Sequence, residues 1–378
     1  MKTKMKLHLI IYIAIASFLV ACENEIPYNP GKQKTQLIMN ALLDAEQAEN
    51  YVFLHLGAGY SIERVNEATL SLYVNDKLVE SPEAISPEEL YGDLKGQLDK
   101  DGYEVLLKSI QFKKYRLTTV LHPGDNIRLE ATAENGRYHA SAEVTVPQPI
   151  ESLQVDTSFA YLREYSRQTL YRQYEITLQD RPNEKNYYRL EILNNYHIQA
   201  RHTVPSLDEE GNQVTDEYGT PLYVYKDTTF NYSDCELINR EDIILTDGNI
   251  SHSDEDEDNV LFPIIHNKYN IFTDNSFPNS FATLKVYMPL IPKGLNWYYD
   301  VRASLLSSTV RLLSITETEY RYLKALNCLD DGDYDEALME PVSLPCNVEG
   351  GLGFVGAAAD ARIKMEFPEV QRRNWNDN

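Results

Sequence analysis

The sequence has few cysteines, few tryptophans and no apolar run that could cross a membrane as a helix. Four cysteines in 378 residues exclude a fold held together by a disulfide framework. Two tryptophans disfavour an aromatic sugar platform, although 27 tyrosines offer a substitute. The apolar stretch Leu9–Val20 is about a dozen residues long, whereas a membrane-spanning helix needs about 20.

Basic residues are also scarce, which limits the classes of partner. The precursor has 35 Lys and Arg against 58 Asp and Glu. Removing the lysines at 2, 4 and 6 leaves 32 against 58, a formal charge of −26. Such a surface repels phosphate backbones, so nucleic-acid binding through a basic groove is excluded. It also disfavours lying flat on anionic lipid headgroups.

The N-terminus is typical of a bacterial lipoprotein precursor. A basic start and a short apolar centre predict a secretory signal peptide over residues 1–21. Leu19, Val20, Ala21 and Cys22 form a lipobox, in which the Cys22 thiol receives a diacylglycerol. The alternative is an ordinary signal peptide that happens to contain a cysteine. Two or three acyl chains, palmitate among them, would hold the protein stably on a membrane. Polar residues 22–34 then form a tether.

Three cysteines remain once Cys22 is lipidated: Cys235, Cys328 and Cys346. An oxidising compartment permits one disulfide, and Cys328 with Cys346 is the nearest pair in the sequence. The alternative is three free thiols. Because the number of cysteines is odd, even one disulfide would leave one thiol unpaired.

Residues 35–147 predict an N-terminal β-sandwich. Val52, Leu54 and Leu56 alternate with Tyr51, Phe53 and His55, as a strand with one buried face requires. The clearest hairpin has Asn135-Gly136 at its turn, between alternating runs at 127–133 and 140–146. Residues 81–100 are polar and predict an insertion with a short helix. Pro147 and Pro149 end the module, since proline cannot donate to a sheet ladder.

Residues 150–356 predict a second β-rich domain with long acidic loops. Two polar stretches, Pro205–Gly219 and Ser251–Asn259, interrupt the strands. Thr316 followed by Glu319 forms a capping box, which predicts a helix near 316–327. Residues 357–378 are expected to be a polar tail. The fold class is therefore mainly β, with two β-sandwich modules of immunoglobulin or fibronectin type, loop insertions and a short C-terminal helix.

No motif with established chemistry is present. The acidic runs at 254–258 and 331–335 alternate like calcium loops but lack the turn glycine and the bidentate glutamate. Solvated loops are the favoured interpretation, and calcium binding stays open. Neither a zinc-protease motif nor a nucleophile elbow occurs. The glycines from Gly350 to Gly356 lack the ending of a phosphate loop. We expect no catalytic residues, no metal and no cofactor.

Three segments resemble a family of Bacteroidota surface lipoproteins known as domain of unknown function 4249. The first is an Asp/Pro turn followed by Asn186, Tyr187 and Tyr188, and the second carries Tyr320 and Tyr322. The third and most specific contains Glu340, Pro341, Asn347, Gly350, Gly351 and Gly353. The resemblance runs from the lipobox to about Gly356. The role of these residues is unknown, and Cys346 stands where the family pattern has Ser or Thr, which weakens the disulfide.

The resemblance implies an outer-membrane lipoprotein associated with a TonB-dependent transporter, without established catalytic residues. We therefore expect a non-enzymatic accessory or substrate-capture protein, held on the membrane by its lipid and facing the cell surface rather than the periplasm. One alternative is a surface-exposed hydrolase acting on glycans or peptides. Another is a structural or adhesive surface protein.

Overall fold

The computed structural model describes residues 34–58, 61–95, 99–164, 167–247, 266–295, 298, 300–330 and 342–367. The signal peptide, Leu19, Val20, Ala21, Cys22 and nearly all of the tether lie outside the described residues. So do Glu340, Pro341 and both acidic runs.

A nine-stranded sheet is the central element of the fold. Its strand order is β12-β11-β15-β17-β1-β2-β3, while β13 pairs with β11 and β6 with β2. The strands are β1 Gln36–Asp44, β2 Asn50–Ala58, β3 Ser61–Glu63, β6 Lys113–Leu117, β11 Tyr187–Pro205, β12 Tyr223–Asp234, β13 Ile271–Thr273, β15 Asp300–Ile315 and β17 Leu352–Glu366.

A five-stranded sheet packs on one end of this large sheet and completes the first sandwich. It contains β4 Ala68–Val74, β5 Lys77–Glu80, β7 Asn126–Ala133, β8 Tyr138–Thr145 and β16 Val348–Glu349. The predicted alternation is confirmed, because Val52, Leu54 and Leu56 are buried in the core between the sheets. The loop after β7 turns through positive φ at Asn135 and Gly136, which matches the predicted hairpin.

A three-stranded sheet packs on the other end and encloses a second core. Its strands are β9 Leu153–Glu164, β10 Arg167–Gln179 and β14 Phe281–Pro289. Tyr174, Ile176 and Leu178 from β10 face Leu190 and Ile192 from β11 in this core. The predicted fold class is therefore confirmed: the chain is mainly β, with two sandwich cores on one shared sheet.

The described part of the chain has three α-helices, which lie outside the sheets. Helix α1 is Pro87–Leu90, within the predicted insertion, and α2 is Lys100–Ser109, capped by the Asp99 carboxylate, which the sequence analysis did not predict. Helix α3 is Glu317–Leu329, as predicted. Short 3-10 turns occur at Gly92–Leu94, Asp274–Ser276 and Lys293–Leu295. Within the described part of the chain, no helix has the length and hydrophobicity that a membrane span requires.

Strand β17 corrects the predicted polar tail, because residues 357–366 are its second half. The first half pairs in parallel with β1, and the second pairs antiparallel with β15. Ala357, Ala358 and Ala359 are buried, and Ile363 and Met365 continue the strand alternation. The charged residues at 360–366 hide this pattern, since they occupy the other strand positions.

The proposed disulfide is also corrected. Cys235, Cys328 and Cys346 are all free thiols. Cys328 lies on α3, whereas Cys346 lies in the extended segment before β16, where its sulfur contacts the Val348 carbonyl oxygen at 3.7 Å.

Candidate functional site

The two faces of β1 have different environments, and the outer face opens a candidate site. Leu37, Met39, Ala41 and Leu43 point into the first core. The side chains between them, at Asn40, Leu42 and Asp44, therefore lie on the opposite face of the sheet. Helix α3 packs beside that outer face, against β17, β13 and β11.

A groove of about 520 Å³ lies between α3 and the outer face of β1 and β2. We call it the α3 groove. Aromatic and aliphatic side chains form most of its wall, with Asp44, Glu49 and Arg189 as the charged members. The apolar members include Leu42, Tyr51, Phe53, Tyr269, Tyr322, Leu323, Leu326 and Phe354. Its size and apolar lining suit a small molecule or a short segment of a larger ligand.

A second pocket of about 290 Å³ adjoins the α3 groove. Arg189 and Tyr269 line both cavities, so they form the ridge between them. Charged residues form a larger part of the second pocket's lining, with Glu191, Lys268 and Arg311 in its wall besides Arg189. The walls of both cavities are mostly apolar.

Arg311 is the centre of an ion-pair cluster on this face. Its guanidinium donates to Asp44 and Asp360 at 2.8 Å each and to Glu191 at 2.9 Å. Burial alone would lower the pKa of Arg311, but the three carboxylates raise it well above its usual value. Arg311 therefore stays charged and joins β15 to β1, β11 and β17.

Glu319 is a buried carboxyl group beneath α3, next to this cluster. It is 2% exposed, and no group in the described part of the chain hydrogen-bonds its Oε2 atom. Burial raises the pKa of Glu319 to about 8, and the negative charges of Asp44 and Glu191 reinforce that shift against the opposing charge of Arg189. The predicted capping box is half formed: the Thr316 hydroxyl accepts from the Glu319 amide at 3.1 Å. The Glu319 side chain points instead at β17.

Charge balance explains why Glu319 favours its neutral form. The cluster contains the carboxylates of Asp44, Glu191 and Asp360, and the guanidinium groups of Arg189, Arg311 and Arg362. These six charges cancel. An ionised Glu319 would add an unbalanced negative charge in a buried position, which is costly.

Of the family-motif tyrosines, Tyr322 lines the α3 groove, whereas Tyr187 and Tyr320 pack against each other. Tyr322 stacks on Phe354, with ring centroids 4.4 Å apart and planes 10° apart. Tyr320 packs against Tyr187, with centroids 5.3 Å apart. The structure therefore brings together the helix, the start of β11 and the start of β17, which are distant in sequence.

Asn186 and Tyr188 have a structural role near the groove. Asn186 is fully buried; its Nδ2 donates to the Asp180 carboxylate at 3.1 Å, and its Oδ1 accepts from Arg181 Nη2 at 2.6 Å. The Tyr188 hydroxyl donates to the same Asp180 oxygen at 2.7 Å, and burial raises the pKa of that hydroxyl. These bonds fix the turn that leads into β11.

Asn347 and the family glycines position β17. The Asn347 amide donates to the Val355 carbonyl at 2.7 Å and accepts from the Val355 amide at 2.9 Å. Gly350 has a φ of +75°. A Cβ on Gly351 would lie 3.0 Å from Ala140 Cβ and closer still to the Leu37 carbonyl oxygen. A Cβ on Gly353 would likewise crowd the Met39 carbonyl oxygen. These glycines allow β17 to approach β1 closely.

The apolar lining of the α3 groove suits ligand binding. Among the described residues, neither cavity is lined by a histidine or a serine. The carboxyl with the most strongly raised pKa, Glu319, is sealed beneath α3 and does not line either cavity. In the same described ranges, no group of three His, Cys, Asp or Glu side chains is arranged to hold a metal ion.

Sequence reasoning missed the charged members of this site. Glu191, Arg311 and Asp360 each stand between two apolar residues in a strand. Each side chain points away from the core that its neighbours enter. A charged residue recurring inside otherwise apolar strands was the available signal, but the pairing of distant strands was needed to bring the charges together.

Comparison with known proteins identifies a family whose function is unknown. The family model described as a domain of unknown function, DUF4249, matches residues 23–364. No curated protein matches the sequence. A solved structure of a DUF4785 family protein from Legionella pneumophila subsp. pneumophila str. Philadelphia 1 is 9% identical, with a TM-score of 0.21. The match covers 74% of this chain and spans about half, 52%, of that protein.

Proposed function

The chain belongs to the DUF4249 family, whose function is unknown, and from that premise we propose that it is a lipid-anchored capture protein of the bacterial outer membrane. It binds a ligand in the α3 groove and passes it to a TonB-dependent transporter as a non-enzymatic accessory. The observation that carries this proposal is the α3 groove, an aromatic cavity of about 520 Å³ beside a second pocket with charged residues in its wall. The lipobox ending at Cys22 supports the anchor.

The groove is suited to capture and release. Its wall combines the ring faces of Tyr51, Tyr269 and Tyr322 with few charges, which favours ligands that present an apolar face. The adjoining pocket supplies Lys268 and the ridge residue Arg189 for polar groups of the same ligand. Such a site binds by burial and orientation and needs no bond-making step.

The first test is a mild-detergent purification of the tagged, lipidated protein from its native membrane, with mass spectrometry of the co-purifying proteins. We expect a stoichiometric TonB-dependent transporter that is lost when Cys22→Ala prevents anchoring. Recovery of the lipoprotein alone would contradict the partnership and move activity screens on surface glycans and peptides to the front.

A groove variant separates capture from assembly. Tyr322→Ala removes the ring that stacks on Phe354 and should reduce ligand transport while the transporter still co-purifies. Tyr161→Ala is the matched control, because Tyr161 is 65% exposed on β9 and lines neither cavity. Equal transport by the two variants would contradict a role for the groove.

A further inference from the structure

The hairpin of β11 and β12 extends beyond the rest of the large sheet. Strand β11 pairs with β15 only as far as Arg201 opposite Asp300, whereas its pairing with β12 continues to Pro205 opposite Tyr223. Among the described residues, no third strand lies beside residues 202–226, which we call the distal hairpin. A small cluster that includes Ile198, Ala200 and Leu295 supports the base of this hairpin.

The tip of the distal hairpin contains the same turn twice, eight residues apart. Asp208 Oδ1 accepts from the amides of Glu210 and Asn212, and Asp216 Oδ1 accepts from the amides of Tyr218 and Thr220, all within 2.8–3.0 Å. In each turn the third residue after the aspartate is a glycine with positive φ, +87° at 211 and +79° at 219.

A ring of backbone hydrogen bonds joins the two turns. The Ser206 amide donates to the Leu222 carbonyl, the Val214 amide to the Ser206 carbonyl, and the Leu222 amide to the Val214 carbonyl, at 2.8–2.9 Å. This closed ring holds three chain segments together without a hydrophobic core. The tip is consequently a preorganised surface, which lowers the entropy cost of binding a partner.

Exposed apolar side chains are concentrated on the distal hairpin. Among the described residues, 21 large apolar side chains are exposed, and six of them lie between positions 207 and 225. Tyr218 is 84% exposed, the largest value in the set. Clusters of exposed aromatic residues on a monomer mark interaction surfaces. The six are Leu207, Tyr218, Leu222, Tyr223, Val224 and Tyr225.

The charge at the tip of the distal hairpin is negative, whereas its one Lys or Arg, Lys226, stands at the base. Residues 206–222 contain Asp208, Glu209, Glu210, Asp216 and Glu217, and no Lys or Arg. A complementary surface must therefore carry lysine or arginine around an apolar centre. Two copies of this tip would repel each other, and so would an anionic lipid surface.

The direction of the strands places the tip far from the start of β1. Strand β1 is parallel to β17, and both β17 and β11 are antiparallel to β15, so β11 runs in the same direction as β1. Asp44 lies opposite Ala358, Ala358 opposite Ile315, and Ile315 opposite Tyr187. The end of β1 and the start of β11 are therefore at the same height in the sheet. Eight residue steps along β1 and eighteen along β11 separate the start of β1 from Pro205, roughly 80 Å before twist shortens it.

We propose that the distal hairpin is a docking surface for a partner protein whose contact patch is basic at its rim and apolar at its centre. The acidic residues steer the encounter, and the tyrosines at 218 and 223 supply the buried contacts. This interface is separate from the α3 groove. Only its orientation relative to the membrane rests on the proposed lipid anchor, so the docking surface and the proposed transport role can fail independently.

Site-specific photo-crosslinking in native cells tests the docking surface. The full lipidated chain carries p-benzoylphenylalanine at position 218, or at the exposed control position 161 on β9. We expect one discrete protein adduct from position 218 and none of the same mass from position 161. Mass spectrometry should place the crosslink within a lysine- and arginine-rich patch of the partner.

A charge variant tests the complementarity. Glu209→Gln, Glu210→Gln and Glu217→Gln together remove three charges while leaving the aspartate side chains that hold the turns. The adduct yield should fall about 3- to 10-fold. The control variant neutralises three exposed carboxylates elsewhere, Glu63→Gln, Glu88→Gln and Glu143→Gln, and should leave the yield unchanged.

Four results would overturn the proposal. They are the lack of any adduct at position 218, an adduct with lipid, an adduct with a second copy of this chain, and a yield that the two charge variants change equally. A transporter that co-purifies while position 218 gives no adduct would reject this surface and leave the proposed function standing. An adduct with a different protein would support the surface and count against the transporter.

Discussion

The inner and outer faces of β1 and β17 have the same backbone but opposite chemistry. On the inner face, Leu37, Met39, Val355 and Ala357 pack in the first hydrophobic core. On the outer face, the same two strands contribute Asp44 and Asp360 to the charged cluster around Arg311. One face is closed by a second sheet and the other by α3, with a groove beside it.

This difference separates stability that is independent of pH from stability that depends on it. Burial of apolar groups does not involve proton binding, so the first core should respond little to pH. The outer face contains Glu319, whose folded and unfolded pKa values differ, and therefore couples folding to proton concentration. Substitutions on the two faces can test this contrast.

Arg311→Ala should give the largest effect. Removing the guanidinium leaves Asp44, Glu191 and Asp360 close together without their common partner, and breaking such a partly buried cluster costs about 3–5 kcal/mol. Urea unfolding measured at pH 7 checks the value. Arg321→Ala, which breaks an exposed ion pair with Glu317, is the control and should change the free energy of unfolding very little. Equal effects would contradict a central role for the cluster.

Glu319→Gln should stabilise the protein at neutral pH. The folded pKa is raised to about 8 from the ordinary value of 4.5, so the folded state binds more protons than the unfolded state between those values. The free energy of unfolding of the wild type therefore falls as pH rises through this window, by up to about 1.4 kcal/mol per pH unit. The variant lacks this fall and should be more stable by about 3 kcal/mol at pH 7.

Urea unfolding of both proteins from pH 5 to pH 8 measures the difference. Because all other titrating groups are common to the two chains, their contribution cancels in the subtraction. A difference that does not grow with pH would show that Glu319 is ionised in the folded protein throughout this range.

Gly353→Ala should produce a smaller loss of stability. Gly353 lies opposite Met39, where β17 pairs with β1. Gly353 has a φ of +110°, and a Cβ there would lie 2.8 Å from Asn40 Oδ1 and closer still to the Met39 carbonyl oxygen. Crowding and backbone strain together should cost about 1–3 kcal/mol, independent of pH. Gly136→Ala is the matched control, with a φ of +79° in open space. Thermal unfolding that shifts equally in both would attribute the effect to φ alone.

The sequence predicted most of the strands because their signals are local. Alternation at 52–56 and the Asn135-Gly136 turn depend on neighbouring residues, and the structure confirms both. The sequence does not predict helix α2, because its N-cap Asp99 is followed three residues later by Gly102 rather than by the Glu or Gln of a capping box, and none of its residues is buried. The second half of β17 was read as a tail, since charges at alternate positions resemble a solvated segment.

The candidate site was harder to predict, because it depends on contacts between distant residues. Arg311 and Asp44 are 267 positions apart in the sequence, and no local pattern relates them. Family resemblance did point to Tyr320 and Tyr322 on α3, which the structure places beside Tyr187 and the groove. It gave no role for them, and the family glycines set the packing of β17 against β1.

The parallel pairing of β1 with β17 has a consequence for how the chain folds. Ile38 lies opposite Leu352, so the first sandwich cannot complete its sheet until almost the whole chain has been synthesised. Contacts of such long sequence range form slowly, because the loop-closure entropy must be overcome first. Deleting β17 should therefore leave the first sandwich open, even though the deletion lies at the other end of the sequence from β1.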